Sequence, residues 1–295
     1  MSKIKRVFGV KKTGIDKMLK SLFMTIENLQ PELILLGHSE LIDGQFLGQL
    51  KSKYPNIKIA MWWVDWLKNL SSIQTKMDYL DVLFVTTGIN DPTLKDIQKK
   101  NLKICYLPNM CDDSIEVYKS FEEKSYDRDL FFAGRLDTER EAFLTHLQKS
   151  LDPLKFDIFG NTKNNILLGS QFLQTIAKSK ISLNLSRDHE SPLYTSDRLI
   201  QLLGNGSMVI SKRIPDFDML FDDKEIIFFD TLDECIDLIK YYSANDEKRK
   251  EVACNGWTKA HKSYNSTRVA KFMIEAIFDL DYTEAYEWEN ECVKR

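Results

Sequence analysis

Residues 186–211, with the sequence SRDHESPLYTSDRLIQLLGNGSMVIS, bring hydroxyl, cationic and glycine residues together in one short stretch. They follow the apolar run 181–185, which predicts a buried strand, and Ser196 is of the type that opens a helix. A helix N-terminus carries unpaired N–H groups and a partial positive charge, so it attracts anions. Four side chains at this terminus suit a diphosphate: Tyr194, Thr195, Ser196 and Arg198. The alternative is a capped surface helix with a solvated arginine.

A second candidate for phosphate binding is the pair Gly134-Arg135, which follows the apolar run 130–133. Glycine lets a ligand approach the backbone closely, and the arginine guanidinium can bind a phosphate through two N–H groups. The alternative is a tight turn in which Arg135 pairs with Asp137 or Glu139.

Because ligands of open parallel sheets bind beyond the carboxyl ends of the strands, the residues after the next predicted strands belong to the same site. These residues are Gly160-Asn161, Ser186-Arg187 and Ser211-Lys212-Arg213.

The strands of the first half are followed by hydroxyl, amide, imidazole and carboxylate groups, which suit a polyol or a proton transfer. These residues are Gly37-His38, Asp65-Trp66, Thr86-Thr87 and Pro108-Asn109. Asp65 stands in the sequence MWWVDW, where neighbouring tryptophans favour a desolvated carboxylate with a raised pKa, and therefore a better base. The alternative role for Asp65 is to cap the following helix. His38 is the second candidate for catalysis, although a lone histidine is more often structural.

Short apolar runs alternate with amphipathic segments along most of the chain, and these elements must position the candidate residues. Continuous apolar strands separated by helices are typical of parallel sheets covered on both faces, and right-handed crossovers then give doubly wound α/β domains. Nine strands are predicted, at residues 32–36, 57–64, 82–86, 103–107, 130–133, 156–159, 181–185, 208–210 and 226–229. The predicted helices include residues 15–29, 71–80, 139–151, 171–179, 232–243, 246–261 and 267–277.

A polar segment interrupts the strand series and divides the chain into two domains of ordinary size. We predict a short N-terminal domain at residues 1–109, a linker at 110–128 and a C-terminal domain with a helical end at 129–295. If the carboxyl ends of the two sheets face each other, the domains form a cleft with a phosphate side and an acceptor side.

Composition and missing motifs exclude several classes of protein. The 295 residues carry a net charge of −3, so a nucleic-acid partner has no electrostatic support, and no apolar run is long enough to span a membrane. The five cysteines are scattered and contain no C-x-x-C pair, which favours a reducing cytoplasm over a disulfide framework. Neither they nor the four histidines have metal-ligand spacing, so no metal is expected. The glycine-rich dinucleotide motif, the P-loop motif and the G-x-S-x-G motif are absent from the sequence.

Several segments resemble, in their order, the C-terminal half of GT-B glycosyltransferases, and most closely the CgeB-type, spore-maturation-protein-like group. They are DLFFAGR, KFDIFGN, AKSKISLNLS, YTSDRLIQLLGNGSMVIS and a helical end with the sequence RKEVACNGWTKAHKSYNSTRVAKFMIEAIF. The upstream segments PELILLGHSE, KIAMWWVDW, DVLFVTTG and ICYLPNM resemble the N-terminal half of the same group. The resemblance implies two Rossmann-like domains, a nucleotide-sugar donor bound mainly by the C-terminal domain, and no required metal or other cofactor.

The resemblance also assigns roles to single residues. Arg135 matches the arginine that binds the donor phosphates after the first strand of the C-terminal domain, and Arg198 matches the arginine at the start of the donor-site helix. Gln201 stands where the family usually carries the carboxylate that holds the donor ribose, and an amide hydrogen-bonds a hydroxyl less strongly. Leu193 stands at the first position of the family's two-glutamate pattern. Asp65 falls near the polar cleft residue that faces the acceptor.

Three functions fit these observations. The leading hypothesis is a metal-independent glycosyltransferase of the hexosyltransferase type, which moves a sugar from a UDP or GDP donor to a glycan, protein or small-molecule acceptor. Arg135, Arg198 and the helix that begins at Ser196 would stabilise the leaving diphosphate. A nucleotide-sugar epimerase of the same fold is the first alternative, with His189 and Glu190 as its candidate acid–base groups. A catalytically silent relative that binds sugar nucleotides or glycans is the second, and the missing ribose carboxylate favours it.

Overall fold

The chain folds into two compact units, one around each of two sheets. The computed structural model describes residues 13–37, 39–95, 97, 102–160 and 165–293. The first unit extends to Tyr106 and also takes in Glu275–Asp281 and the chain from Glu291 onward, while the second comprises Leu107–Ile274 and Tyr282–Asn290. These bounds differ from the predicted ones, because residues 110–128 belong to the second unit and two C-terminal stretches return to the first.

The first unit is built on a five-stranded sheet, with four parallel strands and a fifth, antiparallel strand at Cys292–Val293 on its edge. Its parallel strands follow chain order and are β1 (Leu33–Leu36), β2 (Lys58–Trp63), β3 (Val82–Val85) and β4 (Lys103–Tyr106). The helices before and between them are α1 (Thr13–Leu29), α2 (Gly44–Lys53) and α3 (Gln74–Met77), with 3-10 helices at Leu67–Ile73 and Pro92–Leu94. The strand side chains Ile59, Leu83 and Ile104 are fully buried in an apolar core with Leu47 and Leu50 of α2. Burying a side chain of this size contributes about 1.5–3 kcal/mol.

A disulfide bond between Cys105 and Cys292 joins β4 to the antiparallel strand β10 (Cys292–Val293). The two cysteines lie opposite each other in the ladder, with their Cα atoms 4.1 Å apart. The cysteine pattern predicted no disulfide framework, and this pair corrects that expectation. The pairing was not visible in the sequence because 187 residues separate the two cysteines and β10 is only two residues long. The predicted cytoplasmic location stays a prediction.

The second unit is built on a parallel sheet with the strand order β6-β5-β7-β8-β9. Its strands are β5 (Arg128–Ala133), β6 (Phe156–Phe159), β7 (Ser179–Asn184), β8 (Met208–Lys212) and β9 (Ile227–Phe229). The helices are α4 (Thr138–Ser150), α5 (Ser170–Ala177), α6 (Asp197–Gly204), α7 (Leu232–Ala244), α8 (Asp246–Ser263) and α9 (Ser266–Phe278), with 3-10 helices at Ser120–Glu122 and Phe217–Met219. Helix α9 belongs to this unit as far as Ile274. The order reverses at β5, which has β6 on one side and β7 on the other. Open α/β sheets bind ligands at such a reversal.

All nine predicted strands are present, and the prediction of an α/β protein with two parallel sheets is confirmed. Residues 71–80, predicted as one helix, instead form the end of a 3-10 helix and the four-residue α3. Ser71 and Ser72 weaken a regular helix here, since their side chains compete for backbone hydrogen bonds. Among the helices of the described residues, none is long and apolar enough to cross a membrane.

Candidate functional site

Two glycines bring the carboxyl ends of β5 and β6 close together. Gly134 follows β5 and Gly160 follows β6, and the φ of Gly160 is +96°, in the left-handed region that favours glycine. A Cβ atom on Gly160 would lie 2.5 Å from the carbonyl oxygen of Gly134, and one on Gly134 would lie 2.6 Å from Nη1 of Arg198. A side chain is therefore excluded at Gly160, and one at Gly134 would displace the guanidinium of Arg198.

The guanidinium of Arg198 joins the carboxyl ends of β5 and β7, where the strand order reverses. It donates hydrogen bonds to the carbonyl oxygens of Ala133 (2.9 Å) and Leu185 (2.7 Å) and to Oδ1 of Asn184 (3.2 Å). Burial, and after it the positive charge of Arg140, lower the pKa of Arg198 to about 10. Arg198 is therefore not a solvated surface arginine, but part of the framework of the crevice.

Helix α6 begins where the sequence predicted, but the Ser196 hydroxyl does not cap it. The backbone of Ser196 has the extended angles of an N-cap residue (φ −88°, ψ 157°) without a side-chain capping bond. Thr195 is buried, and its carbonyl oxygen accepts a hydrogen bond from Nδ2 of Asn109 (3.1 Å), while Tyr194 is half-buried. The predicted hydroxyl residues therefore lie together at the start of α6, and the Ser196 hydroxyl makes no capping hydrogen bond to the helix.

Leu193 and Gln201 occupy the positions that the sequence analysis matched to the family's two glutamates. Leu193 is buried with a positive φ of 58°, and its N–H donates to the carbonyl oxygen of Pro215 (2.9 Å). Its side chain is part of the packing and offers no hydrogen bond to a ligand. Gln201 is half-buried on α6, so its amide is the polar side-chain group at these two positions.

Arg140 was not predicted as a site residue, yet it lies at the same edge of the sheet. It is in the first turn of α4 and is buried, and its Nη1 donates to the carbonyl oxygen of Arg135 (2.8 Å). Its ion pair with Asp137 is loose, with Nε and Oδ2 3.9 Å apart. Burial lowers the pKa of Arg140, Asp137 opposes that shift, and the charge of Arg187 adds to it.

His189 completes a cluster of basic side chains. Burial, followed by the positive charges of Lys212 and Arg140, lowers the pKa of His189 to about 4, so the imidazole is neutral at pH 7. Electrostatic interactions connect five basic residues at this edge: Arg140, Arg187, His189, Arg198 and Lys212. Like charges held together destabilise one another, and a bound anion would remove that repulsion.

Five buried side-chain atoms at this edge have no hydrogen-bond partner among the described residues. They are Nε of Arg140, Oγ of Ser186, Nδ1 of His189, Oγ of Ser196 and Nε of Arg198. Buried polar atoms in folded proteins are nearly always hydrogen-bonded, since an unpaired one costs about 1–3 kcal/mol. Guanidinium and hydroxyl groups are donors, so a ligand rich in negatively charged oxygen atoms would satisfy them.

The remaining predicted donor residues lie at the surface of this edge or outside the described residues. Arg135 and Arg187 are exposed, and none of the ion pairs between described residues involves Arg135. Asp137, the partner proposed for Arg135 in the alternative interpretation, instead caps α4 by accepting from the N–H of Arg140 (3.0 Å). Asn161 and the catalytic candidate His38 lie outside the described residues.

A physical signal for Arg140 was present in the sequence. Asp137 and the acidic residues after it mark the start of a helix, so Arg140 falls in its first turn. The first turn carries the positive end of the helix dipole, which disfavours a cation unless an anion is bound there. An arginine at this position, five residues after a glycine-arginine pair, is therefore a candidate anion ligand.

Asp65 lies two residues beyond the end of β2, and the following turn engages its carboxylate. Oδ1 accepts from the backbone N–H of Trp66 (2.8 Å), and Oδ2 accepts from Nδ2 of Asn69 (2.8 Å). Trp63 directs its Nε1 to the carbonyl oxygen of Trp66 (3.2 Å). These bonds fix the start of the 3-10 helix Leu67–Ile73, which favours the capping role, although the Asp65 side chain stays partly exposed.

Replacing Arg198 with alanine is expected to lower the free energy of unfolding by about 1.5–3 kcal/mol, because three oxygen atoms lose charge-assisted hydrogen bonds. The matched control is Arg135→Ala, which removes an exposed arginine of the same edge and is expected to change stability by less than about 0.5 kcal/mol. Urea unfolding measures both. An Arg198→Ala protein as stable as the natural one would show that these hydrogen bonds do not stabilise the ends of β5 and β7.

Residues 139–275 match a family model whose description is "Glycosyl transferase-like". A search of the curated proteins finds no match. Solved structures similar to the chain include sucrose-phosphate synthase from Thermosynechococcus elongatus, which is 12% identical over 90% of this chain and 77% of that one, with a TM-score of 0.63. An alpha-glucosyltransferase in complex with UDP-glucose and DNA containing an abasic site is 13% identical over 90% and 84%, with a TM-score of 0.65. Anabaena HepE in complex with UDP-glucose is 12% identical over 89% and 82%, with a TM-score of 0.61.

The matched region contains all five members of the basic cluster. At these identities the solved structures show the fold, and they confirm the prediction of a GT-B architecture. The description of the matching family model supports glycosyl transfer as the function of this region. The family model covers less than half of the chain, so the comparisons show a glycosyl transferase-like region at residues 139–275 within a chain of GT-B fold.

Proposed function

We propose that the protein transfers a sugar from a UDP or GDP donor to an acceptor hydroxyl and binds the diphosphate at the carboxyl ends of β5 and β7, where the strand order reverses. The basic cluster with its five unpartnered buried atoms carries this proposal. Phosphate oxygens match arginine and hydroxyl donors in charge and geometry. Two of the similar structures, HepE and the alpha-glucosyltransferase, were solved with UDP-glucose, which supports a nucleotide sugar as the ligand class.

In this proposal the cluster stabilises the leaving diphosphate. Arg140 and Arg198 present buried Nε–H groups, Ser196 presents its hydroxyl, and Lys212 adds a charge at the end of β8. These groups are fixed by the fold before the reaction, so they need little reorganisation when negative charge develops on the phosphate oxygen. We assign the exposed Arg135 and four other predicted donor residues to the same site: Arg187, Tyr194, Thr195 and Gln201. Asn161, which lies outside the described residues, stays a candidate from the sequence alone.

We propose Asp65 as the base that takes the proton from the hydroxyl of the sugar acceptor, with His38 as the second candidate. Asp65 follows β2 at the carboxyl edge of the first sheet, where parallel sheets place their functional groups. Each carboxylate oxygen accepts one hydrogen bond from the protein and retains a further lone pair. A glycan, protein or small molecule supplies the hydroxyl, and the net charge of −3 disfavours nucleic acid as that acceptor.

We propose that the transfer needs no metal ion and no other cofactor. No group of three or more His, Cys, Asp or Glu side chains within the described parts of the chain is placed to hold a metal ion. Arginine and lysine side chains supply positive charge at the proposed diphosphate site instead. Assignment to the CgeB-type group rests on the sequence resemblance. Of the two candidate acid–base groups of the alternative epimerase, Glu190 is exposed and does not belong to the basic cluster.

A thermal-shift comparison of UDP, GDP, NAD and ATP tests the proposed function. UDP or GDP at a hundred times its dissociation constant is expected to stabilise the protein by about 2.7 kcal/mol, because a ligand that binds only the native state stabilises it by mass action. NAD and ATP are expected to shift the melting temperature much less. A screen in which NAD or ATP alone stabilises the protein would contradict a nucleotide-sugar donor. Transfer of the sugar, once the donor is found, separates an enzyme from a silent relative.

A further inference from the structure

His189 lies in a loop whose shape is fixed by its neighbour Asp188. Oδ1 of Asp188 accepts from the backbone N–H groups of Glu190 (2.9 Å) and Ser191 (3.0 Å), and Oδ2 accepts from Oγ of Ser191 (2.9 Å). The imidazole of His189 is half-buried, and its Nδ1 is buried without a hydrogen-bond partner among the described residues. The loop backbone around His189 is therefore fixed, and Nδ1 of the imidazole remains available to a ligand.

The positive charges that act on His189 come from three other elements. Lys212 ends β8, Arg140 lies in the first turn of α4, and Arg198 lies in the first turn of α6. Asp188, in the same loop, opposes them. Together with burial, these cations keep the imidazole neutral at pH 7. An anion bound among the same cations would reverse the local field and favour the protonated imidazole.

We propose that His189 is a proton-accepting ligand of the diphosphate, which hydrogen-bonds a phosphate oxygen and becomes protonated when the nucleoside diphosphate is bound. This inference rests on the proposed function and adds a residue that the leading sequence hypothesis did not assign to the donor site. The imidazole would therefore carry a positive charge only while the anion is bound. In the empty site it adds no further positive charge to the three cations around it.

The proposed step balances in charge and protons. The bond between the anomeric carbon and the phosphate oxygen breaks, and its electron pair stays on that oxygen. The acceptor oxygen forms the new bond to the anomeric carbon and gives up its proton to the base or to solvent. The diphosphate thereby gains one negative charge, and His189 takes up one proton from solvent. The product diphosphate is then stabilised by an imidazolium as well as by the arginines.

Proton uptake on binding tests the inference. Isothermal titration calorimetry of UDP and GDP with the full chain, at pH 7 in buffers of different ionisation enthalpy, counts the protons taken up. We expect the natural protein to take up between about half a proton and one proton more than His189→Gln. The difference isolates His189, because the ionisation of the nucleotide's own phosphate is common to both titrations. Glutamine keeps a hydrogen-bonding group, so the variant is expected to bind with a dissociation constant raised by less than about tenfold.

The matched control is His146→Gln, which removes an exposed histidine from α4 and is expected to give the proton count of the natural protein. If His189→Gln does not fold, His189→Asn replaces it. Equal proton counts in the natural protein and the His189 variant, with nucleotide bound by both, would overturn this inference and leave the proposed function standing. If neither UDP nor GDP binds the natural protein, the proposed function fails and this inference fails with it.

Discussion

Replacing Arg140 with glutamine is expected to weaken the binding of UDP or GDP by roughly tenfold to a hundredfold, which corresponds to about 1.5–3 kcal/mol for a charge-assisted contact. The reason is the unusual environment of this guanidinium. It is buried in the first turn of α4, its Nε has no hydrogen-bond partner among the described residues, and its ion pair with Asp137 is 3.9 Å long. A phosphate at this point would supply the missing partner.

The same substitution is expected to leave the free energy of unfolding unchanged or to raise it. A buried cation with a loose counter-ion is destabilising in the absence of an anion, and burial already lowers the pKa of Arg140. Calorimetric titration measures the affinity, and thermal unfolding without nucleotide measures the stability. This combination, with weaker binding and no loss of stability, distinguishes a ligand-binding arginine from a structural one.

Arg213→Gln is the control for the loss of positive charge alone. Arg213 follows β8 directly after Lys212, but it is exposed and forms an ion pair with Asp230 (3.1 Å). We expect its affinity for UDP and GDP to stay within about threefold of the natural value, because a solvated and already paired charge contributes little. Equal losses in Arg140→Gln and Arg213→Gln would indicate a general charge effect. Unchanged affinity in Arg140→Gln would show that the diphosphate does not bind at this cluster.

The fold was predictable because each strand is an apolar run that must be buried. The runs that contain Leu83, Phe131 and Val209 leave no polar face, so each requires a sheet covered on both sides. The strand β10 was not predictable in the same way. It contains only Cys292 and Val293 in an acidic tail, and it is defined by its pairing with β4 and not by a pattern of its own.

The candidate site was only partly predictable, since its residues acquire their roles through burial and mutual distance. Arg198 was predicted from its place at a helix start, but its bonds to the ends of two strands depend on the strand order. The place of Arg140 in the first turn of a helix could be inferred from the sequence, but its burial and its bond to the carbonyl oxygen of Arg135 depend on the fold. For His189, the neighbouring charges come from residues distant in sequence, such as Lys212 and Arg140, so its neutrality follows from the fold.

Replacing Asp65 with asparagine is expected to cut sugar transfer by on the order of a hundredfold or more while leaving nucleotide affinity unchanged, if Asp65 is the proton acceptor. Asparagine retains an oxygen for the backbone N–H of Trp66, so the start of the following 3-10 helix is preserved. It cannot take the acceptor proton. The rate of UDP release from UDP-glucose, measured with and without acceptor sugars, reports transfer, and a melting curve confirms the fold.

Asn69→Ala provides the matched control for this prediction. In Asp65→Asn the hydrogen bond from Nδ2 of Asn69 to Oδ2 is lost, and Asn69→Ala removes the same bond while the carboxylate stays. Near-normal transfer in Asn69→Ala together with a hundredfold loss in Asp65→Asn would assign the effect to the carboxylate charge. Similar losses in both variants would instead assign to Asp65 a positioning role in the turn. Near-normal transfer in a well-folded Asp65→Asn protein would show that Asp65 serves only as a cap. The proton acceptor would then be His38, or no side chain at all if the reaction retains the anomeric configuration.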